Sequence, residues 1–408
     1  MKDNLKCLRF STPEEIFSLN YMKTLMFFLN SVGGWPHSAF EGPSTASKIS
    51  TVIRSILIVW TASAVSSTIM YVRKHVNSDL GQSYVNILMA SVCFQRLFLP
   101  FQRKFCLVVK QFISEFHMIH YKHKTYFAVQ YNYVGPLCQI AVYLVFLVVI
   151  LFNIMPLYKN FQTGMFTEHR NQNDTFRHPV DYELPVIDQY YTNRGYYIVF
   201  IINWYVTYYT ASAICSFDLL VFIMVFHIWG RLNILIHDLE SFSRPSPEFF
   251  EKPAPTRMTQ EDFFYRLKDV VSHHQMIKEF MMNTSEAFSG TLCFYLIFHQ
   301  LCGCVLLLKC SSLDPSSLGQ YGMVTFIIFN QLIQTSVIFE LITSKVWYYF
   351  GDSLVDVVYG LPWENMDARN RRIVLMFLRN VQTSLALKAG GMVPVGVLTM
   401  SAVHNDLM

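Results

Sequence analysis

The chain has 408 residues, of which 52% are hydrophobic and only 15% charged, with a formal net charge of +4. An ordinary soluble domain carries roughly 25% charged residues, and 35 Phe, 23 Tyr and 19 Met are more than a water-facing surface of this size would conceal. A soluble α/β fold is therefore excluded, since it would show short buried strands between polar helices. The small positive charge, without an arginine-rich face, likewise excludes nucleic-acid binding.

Long apolar runs dominate the chain from residue 51 onward. A bilayer core of about 30 Å takes about 20 helical residues, and only helices or closed barrels satisfy the backbone in lipid. The runs predict spans at 51–71, 83–101, 134–156, 196–228, 287–308 and 320–344, with a broken seventh at 372–403. The first 50 residues lack a small-residue cleavage site, so the first span is expected to act as its own insertion signal. The second span contains Gln95 and Arg96, and Arg96 lies near enough to an end to snorkel. The third has no ionisable acid or base between Val134 and Tyr158. The fourth is longer than a membrane requires and should project beyond it, carrying Asp218, His227 and Arg231. An acid within an apolar helix marks function by default. Near this helix end, Asp218 is expected to serve a helix-terminus or subunit hydrogen bond rather than ion passage.

Basic residues set the orientation. Lys2, Lys6, Arg9, Lys23 and Lys48 precede the first span, and Arg103, Lys104, Lys110, Lys122 and Lys124 follow the second. The segments after spans four and six are also rich in Lys and Arg, which places all four regions in the cytoplasm. The loop 159–195 carries Glu168, Asp174, Asp181, Glu183 and Asp188 and falls outside. Seven spans then give a cytoplasmic N-terminus and an extracellular C-terminus. Asn173, in Asn173-Asp174-Thr175, is a glycosylation acceptor in that outer loop, although Asn283-Thr284-Ser285 has the same pattern on the inner side. Between Pro255 and the fifth span, residues 261–286 have helical spacing, with Thr259 as the expected N-cap. Residues 103–124 have a similar character, and these segments should form a helical bundle below the membrane. The organisation expected is thus an all-α polytopic membrane protein. It has a cytoplasmic N-terminal region (1–50), helices one to six with cytoplasmic extensions (51–344), and an anchor with a broken seventh helix (345–408).

Catalytic signals are poor. His117, His120 and His123 recur at three-residue spacing, but Glu115 is the one carboxylate nearby, so no metal is expected. His273 and His274 are adjacent rather than on one helix face, and are expected to be solvated. No nucleophile elbow, phosphate loop or zincin pattern occurs, so neither enzyme activity nor a cofactor is expected. The nine Cys lie at the N-terminus or in and beside apolar segments, and no structural disulfide is expected.

The end of the chain carries a resemblance. Tyr359-Gly-Leu-Pro-Trp-Glu-Asn-Met366, Asn370-Arg-Arg372, Phe377-Leu-Arg-Asn-Val-Gln-Thr383 and Leu387-Lys-Ala-Gly-Gly-Met-Val-Pro-Val-Gly-Val397 resemble the C-terminal motifs of insect odorant receptors, in particular the moth and butterfly branch that includes pheromone receptors. Length, helix count and inverted topology agree with that family. The resemblance implies an odorant-binding subunit that assembles with a common co-receptor subunit into a tetrameric, odorant-gated cation channel in the dendrite membrane of an olfactory neuron. It further implies a last helix lining the pore, with 372–387 as its cytoplasmic half and Met392 onward as its membrane half. The rival readings are a metabotropic seven-helix receptor, which would have the opposite topology, and a solute transporter, for which no internal repeat is visible.

The resemblance places the ligand pocket between spans two, three, four and six, in the outer half of the membrane. The aromatic residues there are Phe94 on span two, Phe146 on span three and Trp204, Tyr205, Tyr208 and Tyr209 on span four, with Phe326, Phe329 and Thr335 on span six. Phe94, Phe146, Tyr205, Tyr209, Phe329 and Thr335 are the expected ligand contacts, since a volatile ligand calls for an apolar cavity with one or two hydrogen bonds. The moth-branch resemblance implies long unbranched alcohols, aldehydes or acetates. Val395, Leu398 and Ala402 recur at helical spacing and are the expected hydrophobic constriction of the pore. Met392–Met408 is 17 residues, about 26 Å of helix. It departs from the family pattern, so poor conduction is expected of this ending.

Overall fold

The structure is a computed structural model that describes residues 13–40, 42, 44–76, 80–117, 124–167, 174–185, 187–242, 259–311, 325, 354–382, 388–389 and 393–394. Among these residues, five helices are long and apolar enough to cross a membrane. They are α4 (Thr45–Lys74), α5 (Gly81–Phe98), α7 (Lys124–Gln162), α8 (Asn193–Glu240) and α9 (Gln260–Cys310). Shorter helices precede and separate them: α1 (Pro13–Phe17), α2 (Asn20–Ser31), α3 (His37–Phe40) and α6 (Arg103–Gln111). α10 (Leu354–Tyr359) and α11 (Ala368–Val381) follow, and Lys388–Ala389 pairs antiparallel with Val393–Pro394.

Helix boundaries follow local chemistry. Ser44 caps α4 by accepting from the Ser47 N–H, and Thr192 caps α8 by accepting from Gly195. Thr259 caps α9 as the sequence indicates, in a reciprocal box with Asp262. That helix has 51 residues, about 76 Å at 1.5 Å per residue. It joins the expected cytoplasmic helix and the fifth span without a break. α8, at 48 residues, also projects beyond a bilayer. Its most apolar stretch is 78% buried, against 11% for that of α7. α8 is therefore the central post, and α7 presents its apolar surface outward, as lipid permits.

The projecting ends of α8 and α9 form one core with α2, α6, α10 and α11. Phe105, Phe112, Phe116, Phe280, Phe288 and Phe377 are fully buried there. The Phe116 and Phe280 rings stack at 3.8 Å between centroids. α6 ends in a π-helical turn, Phe112–Phe116, whose last carbonyls are free because the chain leaves the helix. Arg231 supplies the missing donors, reaching the carbonyls of Phe116, Glu115 and His117 at 3.1–3.2 Å. At the far end, Gln260 accepts from the Asp367 N–H (2.8 Å) and its carbonyl accepts from Asn370 (2.9 Å). The Arg371 guanidinium donates to the carbonyls of Trp363, Glu364 and Met366. The recognisable C-terminal motif residues thus serve as a clamp that closes the anchor on the start of α9.

Several expectations are corrected here. Within the first 50 residues, α2 buries Tyr21, Met22, Leu25, Phe28 and Leu29 against α7 and α8. Arg96 does not snorkel but is buried on Asp218. His273 and His274 are buried rather than solvated, His274 lying edge-on to Phe377 at 5.2 Å. Val393 and Pro394 pair with Lys388 and Ala389 in a two-stranded ladder, which falls at the break expected in the seventh region around Gly390, Gly391 and Pro394, and helix from Met392 does not hold at Val393 and Pro394. Pro cannot donate within a helix, and the neighbouring strand takes up the pairing.

Candidate ligand cavity

An apolar cavity of about 150 Å³ lies among α4, α5, α7 and α8 at the end of the bundle opposite the anchor. Small and β-branched side chains form its walls: Ala64 and Val65 on α4, Val85 and Ala90 on α5, Val145 and Val149 on α7, Ala211 and Ile214 on α8. Alanines at crossing points leave space that a bulkier residue would fill. Phe152 and Met89 close the sides.

The roof comes from the loop between α7 and α8, through Val180 and Tyr182. This loop is tied down by its backbone. The Asn160 amide brackets Arg177, donating to its carbonyl (2.9 Å) and accepting from its N–H (3.0 Å). The Ser67 hydroxyl donates to the Glu183 carbonyl (2.9 Å), and the Glu183 carboxylate pairs with Lys74 at 2.7 Å. The Phe176 N–H donates to Tyr190 (2.9 Å), the His178 ring to Gln189 (3.1 Å), and both Gln189 and Tyr190 donate to the Tyr182 carbonyl. Burial pushes His178 down to about 4 despite that hydrogen bond. It also pushes Asp181 up to about 6, against the opposing pull of His75.

The polar groups around the cavity are mostly engaged. Thr68 donates to the Ala64 carbonyl (3.0 Å) and Thr207 to the Asn203 carbonyl (2.7 Å). Asn153 from α7 donates to the Thr207 oxygen at 2.8 Å, and Asn86 reaches Pro179 at 3.4 Å. The Tyr182 hydroxyl, in contrast, is buried with no hydrogen-bond partner among the described residues. Burial, with smaller contributions from Tyr209 and Asp181, pushes its pKa up, so the phenol stays protonated. An unpaired buried hydroxyl costs about 1–3 kcal/mol, a penalty that a ligand acceptor would relieve.

Directly below the cavity, Arg96 of α5 meets Asp218 of α8 at 2.8 Å, and Tyr295 of α9 donates to the other carboxylate oxygen at 3.2 Å. Asp218 is four residues after Ile214 and Arg96 seven after Met89, so the ion pair lies on the helix faces that line the cavity. Val85, Ile214, Tyr295 and Phe298 form one packed cluster joining the two.

Phe94, Phe146, Tyr205 and Tyr209, named from sequence, lie outside the lining of this cavity. Tyr209 is buried, with its hydroxyl 3.1 Å from that of Thr61. Tyr205 is half exposed and edge-on to Trp60. Phe146 packs between Phe28 and Tyr208, and Phe94 packs at a tilt against Phe98. Phe329, Thr335, Val395, Leu398, Ala402 and Asn173 lie outside the described residues. The small wall residues and Tyr182 are not among the aromatic helix positions named from sequence. The signal for Tyr182 was present: Phe176, His178, Val180 and Tyr182 are all buried, every second residue, as in an extended segment lying on a surface. Among the described residues, no group of three His, Cys, Asp or Glu is placed to hold a metal ion.

The family model described as 7tm Odorant receptor matches residues 109–406. No curated protein matches the chain in sequence. The structure of the insect olfactory receptor OR5 from Machilis hrabei is similar at a TM-score of 0.70 and 12% identity, covering 97% of each chain. The structure of that receptor in complex with eugenol is similar at a TM-score of 0.71 and 13% identity, with the same coverage.

Proposed function

Because the chain belongs to the odorant receptor family, we propose that it is the odorant-binding subunit of a ligand-gated cation channel formed with a common co-receptor. In this reading it sits in the dendrite membrane of an olfactory neuron with its N-terminus in the cytoplasm, and the α7–α8 loop faces outside. One observation carries the reading: a partly enclosed apolar cavity whose roof holds a buried phenol with no hydrogen-bond partner among the described residues. Its chemistry suits a volatile molecule with a small apolar body and one hydrogen-bond acceptor.

Size selects the ligand class. Drug-sized ligands occupy about 300–1,000 Å³, whereas an apolar cavity of about 150 Å³ takes a benzene-sized ring. The cavity, at about 150 Å³, therefore favours compact cyclic or short-chain odorants over the 10- to 16-carbon chains that a moth-branch resemblance brings to mind. Eugenol, bound by the Machilis hrabei receptor, is a compact substituted phenol of this general kind. Tyr209 and Phe146 act in this reading as packing behind the helices that form the wall.

The test is cation current from the chain co-expressed with a co-receptor, across a panel of monocyclic odorants and straight chains of graded length. Compact ligands bearing an acceptor oxygen should be the strongest agonists. Tyr182→Phe should raise their half-maximal concentrations about three- to tenfold, one neutral hydrogen bond's worth, and leave hydrocarbon analogues unchanged. A response confined to the long chains would refute the size argument. Full current without any co-receptor would refute the subunit role.

A further inference from the structure

A second cavity lies at the opposite end of the membrane helices, where α3 and the start of α4 meet the end of α5 and α6. Its volume is about 600 Å³. Arg54, Arg103 and Lys110 line it, and among the described residues no acidic side chain does. On α6, Arg103, Leu107 and Lys110 are spaced i, i+4, i+7, so one helix face presents both charges toward the cavity. The opposite face, Phe105, Val108 and Val109, is buried in the anchor and fixes that orientation.

Arg54 is built in rather than swinging free. Only 6% of it is exposed. Its Nη1 donates to the Gly33 carbonyl at 2.9 Å, and its guanidinium lies 4.0 Å from the centre of the Phe101 ring. Gly33 makes this possible: its φ is +64°, and an added Cβ would fall 2.3 Å from the Ser50 carbonyl oxygen. The Arg54 Nε, by contrast, is buried with no hydrogen-bond partner among the described residues. A buried guanidinium with a spare donor, beside two more cations and no acid among the described residues, is an incomplete ion cluster, and an oxyanion completes it. The adjoining surface is apolar and exposed, with Phe98, Phe101 and Leu107 beside Ile49 and Val52 on α4.

We propose that this cavity binds the phosphate-bearing headgroup of an anionic membrane lipid, whose acyl chains lie along the exposed apolar surface of α4 and α5. Basic pockets between membrane helices on the cytoplasmic side have this chemistry. The apolar skirt favours a lipid over a free phosphate. Placement in the inner leaflet rests on the orientation proposed above, whereas the headgroup chemistry does not. Because Arg54 holds the Gly33 turn while Arg103 and Lys110 extend from the α6 helix that caps the anchor, the bound lipid would join the first span to the anchor.

The experiment uses the full chain, purified with its co-receptor in detergent, and follows its melting temperature on titration with dioctanoyl phosphatidylinositol 4,5-bisphosphate. Dioctanoyl phosphatidylcholine, inositol trisphosphate and inorganic phosphate form the parallel arms. The anionic lipid should stabilise the complex and phosphatidylcholine should not. Arg103→Gln with Lys110→Gln, both exposed, should leave the unliganded melting temperature unchanged. It should weaken the lipid response roughly thirtyfold, about fivefold for each basic group near an anionic surface and slightly more for the pair. An unchanged response in that double variant, or an equal response to phosphatidylcholine, would overturn the site. Inositol trisphosphate or phosphate matching the lipid would overturn the lipid as its source. Binding in detergent does not depend on orientation. A tag at residue 1 reached from outside intact cells would therefore overturn the inner-leaflet placement while the binding result stands.

Discussion

Replacing Asp218 tests how the cavity is joined to the rest of the bundle. Arg96 keeps 3% of its side chain exposed, and its charge is met by the Asp218 carboxylate at 2.8 Å. The guanidinium also lies 5.0 Å from the Tyr295 ring, and its Nε has no hydrogen-bond partner among the described residues. Removing the carboxylate leaves a buried cation, which costs about 3–5 kcal/mol when both partners are buried; the 33% exposure of the Asp218 side chain makes that range an upper bound here. Asp218→Asn retains one acceptor oxygen and belongs at the low end; Asp218→Leu retains none and belongs at the high end. For chains of 150–250 residues, 1 kcal/mol moves the melting temperature by about 2–4 °C. The lower figure suits this longer chain, and the expected losses are at most roughly 6 °C for Asn and roughly 10 °C for Leu. Combining Asp218→Leu with Arg96→Met removes both charges and should recover most of the loss, since a buried pair is worth little more than apolar residues of similar volume. The assay is fluorescence-detected melting of the purified chain with its co-receptor, wild type and variants in parallel. If the double variant melts no higher than Asp218→Leu alone, the two charges are not coupled and the reasoning fails.

The loop over the cavity carries two opposed titrations. His178 stays neutral in the closed loop down to about pH 4 and charges near 6.5 when released, so acidification weakens closure. Asp181 holds its proton up to about pH 6 when closed, against 3.8 when released, so acidification strengthens closure. The wild-type loop should consequently change little between pH 7 and 5. Asp181→Asn should leave the His178 titration unopposed, about 2 kcal/mol or roughly twentyfold more opening at pH 5 than at pH 7. Amide exchange of residues 174–192, corrected for intrinsic rates, reads it, and a flat profile in the variant would contradict the assignment. Gly33→Ala should lower surface expression and melting temperature, through both the left-handed backbone and the approach to Ser50; a variant within 1 °C of wild type would show that the turn rearranges freely.

Membrane character, the helical class and the family were legible in the sequence because each rests on local chemistry. Apolar runs report spanning helices wherever they fall, and α4, α5, α7 and α8 lie where those runs predict. Thr259 caps α9 because an N-cap acts on its own next few residues. The motif residues that carry the family resemblance were visible, but their work was not: Asn370 and Arg371 act on Gln260 and on the 363–366 turn through tertiary contacts. What the tertiary structure decided is which polar groups meet. Arg96 near a helix end suggested snorkelling, and only the packing of α5 on α8, 122 residues away in the chain, turns it inward onto Asp218. The cavity was hidden for the same reason. An aromatic residue announces itself in a sequence, whereas empty space arises where Ala64, Ala90 and Ala211 from three helices converge under Tyr182, and convergence is a property of the fold.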